Sequence, residues 1–135
     1  MTNELEQYRE LAPKGTIDLL QRLGEMVQGR RFLHITAVRY GGGMPEILRR
    51  LVPAMKSLGI EARWEVIAGT QEFSDVTRRF ADGLQGRPVT ITEEMYRTYL
   101  EVSERNAKAL DLDADLVLVL SGRNVDEDAF QAWTS

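Results

Sequence analysis

Cysteine is absent from these 135 residues, and histidine occurs once, at His34. No disulfide framework, thiol nucleophile or Cys-ligated metal can be built, and a lone histidine leaves zinc without its usual ligands. No metal and no cofactor are expected. No apolar run is long enough to cross a bilayer, and the opening MTNELEQYRE lacks the pattern of a signal peptide. A cytoplasmic protein with no membrane contact is the expectation. Positive charge is in the minority: 17 Lys and Arg against 21 Asp and Glu give a net charge of −4. That balance argues against a broad nucleic-acid surface. Low-complexity stretches and internal repeats are missing too, so residues 1–135 read as one domain, with a helical extension over 1–30.

What is present centres on FLHITAVRYGGGMPEILRRL, Phe32 to Leu51. Phe32 to Val38 is apolar apart from His34 and Thr36, short, and rich in β-formers, which predicts a strand. Gly41, Gly42 and Gly43 follow. Met44, Ile47, Leu48, Leu51, Val52, Met55 and Leu58 then recur at helical spacing, with Pro45 and Glu46 suited to a first turn. Three glycines have two readings. One is a tight turn that needs positive φ. The other is a bare backbone that lets an anionic ligand approach a helix N-terminus. The spacing is neither GxGxxG nor a Walker loop, so it does not choose between them.

The rest of the chain alternates in the same way. A short charged segment runs from Thr2 to Leu11, and Pro13-Lys14-Gly15 breaks it. Thr16 can cap a helix with the stripe Ile17, Leu20, Leu23 and Val27. Gly59 closes the helix after the glycines, and Pro53 inside that helix should bend or divide it. Ile60 to Ala68 reads as a second strand. Phe73, Val76, Phe80, Ala81 and Leu84 mark a further helix. Thr90 with Glu93 forms a capping box for a long helix ending near Leu110. Leu116 to Leu120 reads as a third strand and the most clearly buried one. Ser121-Gly122-Arg123-Asn124 and a short apolar pattern from Val125 to Trp133 close the chain. Strands separated by helices imply an α/β class: a partial Rossmann-like, three-layer domain with a short parallel sheet flanked by helices. In such sheets ligands bind beyond the C-terminal strand ends, where the glycines fall.

The run FLHITAVRYGGGMPEILRRLVPAMKSLGIEARWEVIAGTQEF, continued by FADGLQG and TEEMYRTYLEVSERNAKALDLDADLVLVL, resembles the N-terminal part of trehalose-synthase-type retaining glycosyltransferases of family 4. These have a two-domain GT-B fold. The resemblance runs co-linearly from about Tyr8 to Leu120. It implies the first Rossmann-like half of an enzyme that moves glucose from a nucleotide-glucose donor to a sugar acceptor. The loop matching Gly41 to Gly43 would then line the interdomain cleft, facing the transferred sugar and the donor diphosphate. Most donor-binding residues of such enzymes lie on a second domain, which these residues do not contain. The His-Asp-Pro-type segment of the family after the third strand is also replaced, here by SGRNVDEDAFQAWTS. A truncated domain, not catalytic alone, is expected.

Arg39 and Tyr40 beside the glycines suit a phosphate and the flat face of a sugar, or are an ordinary exposed pair. The expected substrate-binding residues are therefore Arg39, Tyr40, Gly41, Gly42 and Gly43, with no catalytic residue. His34, in mid-strand, reads as a satisfied core or interface histidine. Glu46 reads as a helix-start charge, and Asp111, Asp113 and Asp115 as a solvated turn. Trp64 and Trp133 read as core or interface residues. In a parallel sheet Ser121 and Arg123 would reach the strand-end cleft, but the serine has no base partner in the sequence. The expected partners are a sugar or nucleotide-sugar ligand and a second copy of the chain. The alternative to the transferase half is a non-catalytic oligomerisation or protein-binding module whose exposed sheet edge is covered in a homo-oligomer.

Overall fold

The computed structural model describes residues 4–120. Ser121, Arg123, Trp133 and the pattern from Val125 lie outside the described residues. The chain divides into two compact units, the first made of residues up to 66 together with those from 112, the second of 67–111.

In the first unit a 3-10 turn at Glu6–Tyr8 precedes α1, Thr16–Met26. Strand β1, Arg31–Thr36, leads through the glycines to α2, Gly43–Ser57, then to β2, Glu61–Val66. Strand β3, Leu116–Leu120, completes a parallel sheet in the order β2-β1-β3. Phe32 pairs with Ala62 on one side and Leu116 on the other. This is the expected α/β, Rossmann-like arrangement of a short parallel sheet flanked by helices. β1 is central, so its residues are enclosed: Leu33, His34, Ile35 and Thr36 are all buried. The stripe of α2 supplies Leu48 and Val52, which pack with Ile60 and Ala62. Val27, Phe32, Met55, Leu58 and Trp64 surround them.

The two strand starts are tied by charge. The Asp115 carboxylate accepts from the Arg31 backbone N–H at 2.8 Å, and Asp113 lies 2.9 Å from the Arg31 guanidinium. These contacts turn two of the three aspartates from a merely solvated turn into a clasp. The hydrogen bond from the Arg31 backbone, then that from its side chain, hold the Asp115 carboxyl below the usual aspartate range. A depressed folded-state pKa stabilises the fold fully above the ordinary aspartate value of about 4 and progressively less as pH falls through the depressed one. Asp115→Asn should therefore lower stability at neutral pH by an amount that shrinks in acid. Urea unfolding of both proteins from neutral to acid pH checks this, and a difference that stays constant with pH contradicts it.

The second unit is an α-helical pair: α3, Gln71–Leu84, and α4, Glu93–Ala109. Their stripes meet through Tyr99, whose ring centroid lies 6.1 Å from that of Phe73 and 5.3 Å from that of Phe80. Asn106 is a buried amide with every group used. It donates to the carbonyls of Ala68 and Val102 and accepts from the Ala68 N–H at 2.8 Å. Its pattern in the sequence, an asparagine on a helix face, did not single it out.

Four local expectations are corrected. Thr92, not Thr90, caps α4, its hydroxyl accepting from the Met95 N–H; this places Glu93 and Glu94 together in the first turn, where the helix dipole favours them. Gly15, with φ of 87°, precedes α1, and Thr16 is the first helical residue. Pro53 does not divide α2, which runs unbroken from Gly43 to Ser57; the N–H it lacks would have met the carbonyl of Arg49, an exposed residue. Strand β3 is not the most buried strand. It is a sheet edge, with Leu116, Val117 and Val119 exposed, Val119 by 69%. An unbroken apolar run marks a strand but does not say whether both its neighbours are present. No helix among the described residues is long and apolar enough to cross a membrane.

Candidate functional site

Strand β1 stops at Thr36, two residues earlier than its apolar run suggests, because of what the Thr36 side chain does. Its hydroxyl donates to the carbonyl of Val38 at 2.9 Å, which turns the chain out of the sheet, and accepts from the Trp64 indole N–H at 2.8 Å. The loop of residues 37–42 then carries the chain from the C-terminal end of the central strand to the start of α2. This is the position where parallel sheets bind ligands.

Two of the three glycines are explained by backbone geometry. Gly41 has φ of 79°, and Gly42 has φ of 80° with ψ of 169°, a combination essentially confined to glycine. Gly43 is different. It is the first helical residue, it is not among the glycines of positive φ, and a Cβ built on it meets nothing within 4 Å. Neither turn geometry nor packing within the chain requires a glycine there. The tight-turn reading thus covers Gly41 and Gly42 and leaves Gly43 over.

Gly42 offers no side chain to cap α2. Among the described residues, the backbone N–H groups of Gly43 and Met44 have no acceptor outside the helix. Pro45, in the first turn, has none to offer. The helix therefore starts with bare, exposed donors at its positive end, the arrangement that receives anions.

Four side chains frame these donors. Arg39 lies over Trp64, its guanidinium carbon 4.5 Å from the ring centroid. No acceptor among the described residues takes a hydrogen bond from it. Tyr40 is 77% exposed. Arg49, two turns into α2, donates to the Arg39 carbonyl at 3.0 Å and sits 5.0 Å from the Tyr40 ring centroid. Glu46 holds Arg49 at 2.8 Å. Structure thus brings Arg39, Tyr40, Gly41, Gly42 and Gly43 together on one exposed rim. Glu46 is more than a helix-start charge, since it aims Arg49. Trp64 is a half-buried platform beside the core. His34 is 2% exposed, and its Nδ1 lies 3.2 Å from the Arg63 carbonyl, which can only accept. It is a satisfied core residue facing away from solvent chemistry. Among the described residues, no group of His, Asp and Glu is placed to hold a metal ion.

Sequence reasoning did not single out Arg49, Thr36 or Asn106. Arg49 carried one readable sign: it stands three residues after Glu46 on a helix, the spacing of an ion pair. Nothing local revealed that it would reach back to the loop.

Residues 34–125 match the family model described as the N-terminal domain of trehalose synthase. The trehalose synthase of Pyrococcus horikoshii is 43% identical over 118 residues, 86% of this chain and 28% of the relative. That of Thermococcus litoralis is 42% identical over 117 residues, 85% and 28%. That of Rubrobacter xylanophilus is 39% identical over 106 residues, 78% and 26%. The chain spans little more than a quarter of the length of these relatives.

Proposed function

We propose, from the premise that the chain belongs to the family of trehalose synthase N-terminal domains, that its glycine rim is one wall of a nucleotide-sugar cleft. The chemistry served is transfer of glucose from a nucleotide-glucose donor to a sugar acceptor. In this reading the bare N–H groups at Gly43 and Met44 face the donor's diphosphate or the transferred sugar. Arg39 pairs with a phosphate oxygen, and Tyr40 gives its open face to a pyranose. The observation that carries the reading is Gly43, a glycine that the geometry of the described residues does not call for, at a helix start without a side-chain cap and beside an arginine with no acceptor among the described residues.

In this reading these residues bind and orient, and transfer needs groups from elsewhere. Among the described residues the rim holds no paired nucleophile and base, and the one histidine is enclosed in the sheet. Calorimetric titration with UDP-glucose, and separately with glucose and trehalose, tests the reading. Binding of UDP-glucose in the millimolar range or tighter, with no trehalose formed from UDP-glucose and glucose, is the expected result. A folded sample that gives no heat with any of the three removes the retained site.

A second reading is favoured by β3. Its outer edge has no strand partner among the described residues, and its apolar Leu116, Val117 and Val119 are exposed. Such edges are usually covered, and a second copy of the chain would cover this one. Light scattering decides: a monomer at high concentration removes this reading and leaves the first untouched.

A further inference from the structure

The 37–42 loop is fastened in an unusual way. Among the described residues, none of its backbone groups makes a backbone–backbone hydrogen bond outside the regular elements. Two of its residues are glycines at positive φ, the most permissive backbone there is. A loop of that composition is expected to sample many conformers, and a ligand would then have to order it at an entropic cost. Side chains hold it instead. Thr36 takes the Val38 carbonyl, Trp64 carries the Arg39 side chain, and Arg49 takes both the Arg39 carbonyl and the Tyr40 ring.

Arg49 reaches the loop from the helix that the glycines lead into. It leaves α2 on the far side of Gly41 and Gly42 and returns to residues 39 and 40 on the near side. One guanidinium thus closes a ring around the turn, with Glu46 fixing its orientation from one helical turn earlier. The planar fork is what allows it. One nitrogen meets the carboxylate, another meets the carbonyl, and the flat face covers the tyrosine.

We propose that Arg49 is a positioning residue: it sets the glycine loop and the Tyr40 ring in place before any ligand arrives, and does not itself contact the ligand. Its charge is met by Glu46, whereas Arg39 keeps its donors for the ligand. The proposal rests on the cleft reading for its functional consequence, but its structural half stands without it.

The test is backbone ¹⁵N relaxation of the full chain, with UDP-glucose titration of the same samples. Wild-type Arg39, Tyr40, Gly41 and Gly42 should show order parameters near the rigid value of about 0.85, and Arg49→Met should bring them to about 0.6 or below while β1 stays rigid. UDP-glucose affinity should fall about tenfold, about 1.4 kcal/mol. Arg49→Lys is the decisive variant. It keeps the charge but cannot make both contacts, so it should behave like Arg49→Met in both measurements. Affinity restored by lysine would mean that Arg49 acts as a charge on the ligand, and overturns the proposal. So would a loop that is mobile in the wild type, or equally rigid in Arg49→Met. A loop that loosens as expected in a protein that does not bind UDP-glucose upholds the positioning role and removes the cleft reading.

Discussion

Gly43→Trp is expected to reduce UDP-glucose affinity by tenfold or more, at least about 1.4 kcal/mol, while leaving the fold intact. Nothing lies within 4 Å of the Cβ position apart from its chain neighbours and its own helix, so the side chain meets no obstacle at its attachment. It would stand over the free N–H groups of Gly43 and Met44 and beside Tyr40. Gly43→Ala separates the backbone from the ligand. Position 43 is helical and not at positive φ, so alanine should stabilise the protein by about 0.4–1 kcal/mol through the unfolded chain. In the proposed reading, a glycine that costs stability and can be replaced without strain makes room for a ligand. If both variants bind UDP-glucose as the wild type does, Gly43 has no ligand to make room for. Calorimetry gives the affinities and urea denaturation the stabilities.

Leu48→Ala is expected to cost about 2–5 kcal/mol, a large part of the 5–15 kcal/mol that stabilises an ordinary domain. Leu48 is wholly enclosed and lies at the centre of the cluster of Val52, Ile60 and Ala62. Removing its branched end leaves a cavity between α2 and β2, which the surrounding side chains close only in part. Leu48 also neighbours Arg49, so a shift of this turn moves the residue that grips the loop. A chemical denaturation midpoint unchanged from the wild type would mean that the core lies elsewhere.

The α/β pattern was legible in the sequence because periodicity reports it directly: β1, α2, β2, α3, α4 and β3 each carry a stripe or run of the right length. The family resemblance was legible for the same stretch and is borne out by the match to the trehalose synthase N-terminal domain. Three kinds of information were not legible. Strand order is set by pairing between distant segments, so LVLVL read as the most clearly buried strand and is an edge. Helix starts depend on which of two threonines reaches the first-turn N–H, and the sequence around Thr90 and Thr92 permits both. The third is the reach of long side chains. Arg49 to the Arg39 carbonyl spans ten positions and Trp64 to Thr36 spans twenty-eight, and neither pairing follows any local period. The five rim residues were named from the strand-end rule. The arginine and tryptophan that shape the rim emerged only from the fold.

The most direct measurement is the ¹H–¹⁵N spectrum of the uniformly labelled chain during titration with UDP-glucose. Saturable shifts concentrated at the amides of Tyr40, Gly41, Gly42, Gly43 and Met44 and at the Trp64 indole N–H are the expected result, with β3 and α4 unaffected. Shifts that fall elsewhere while these six signals stay fixed would contradict a ligand wall built from bare backbone at the end of the central strand.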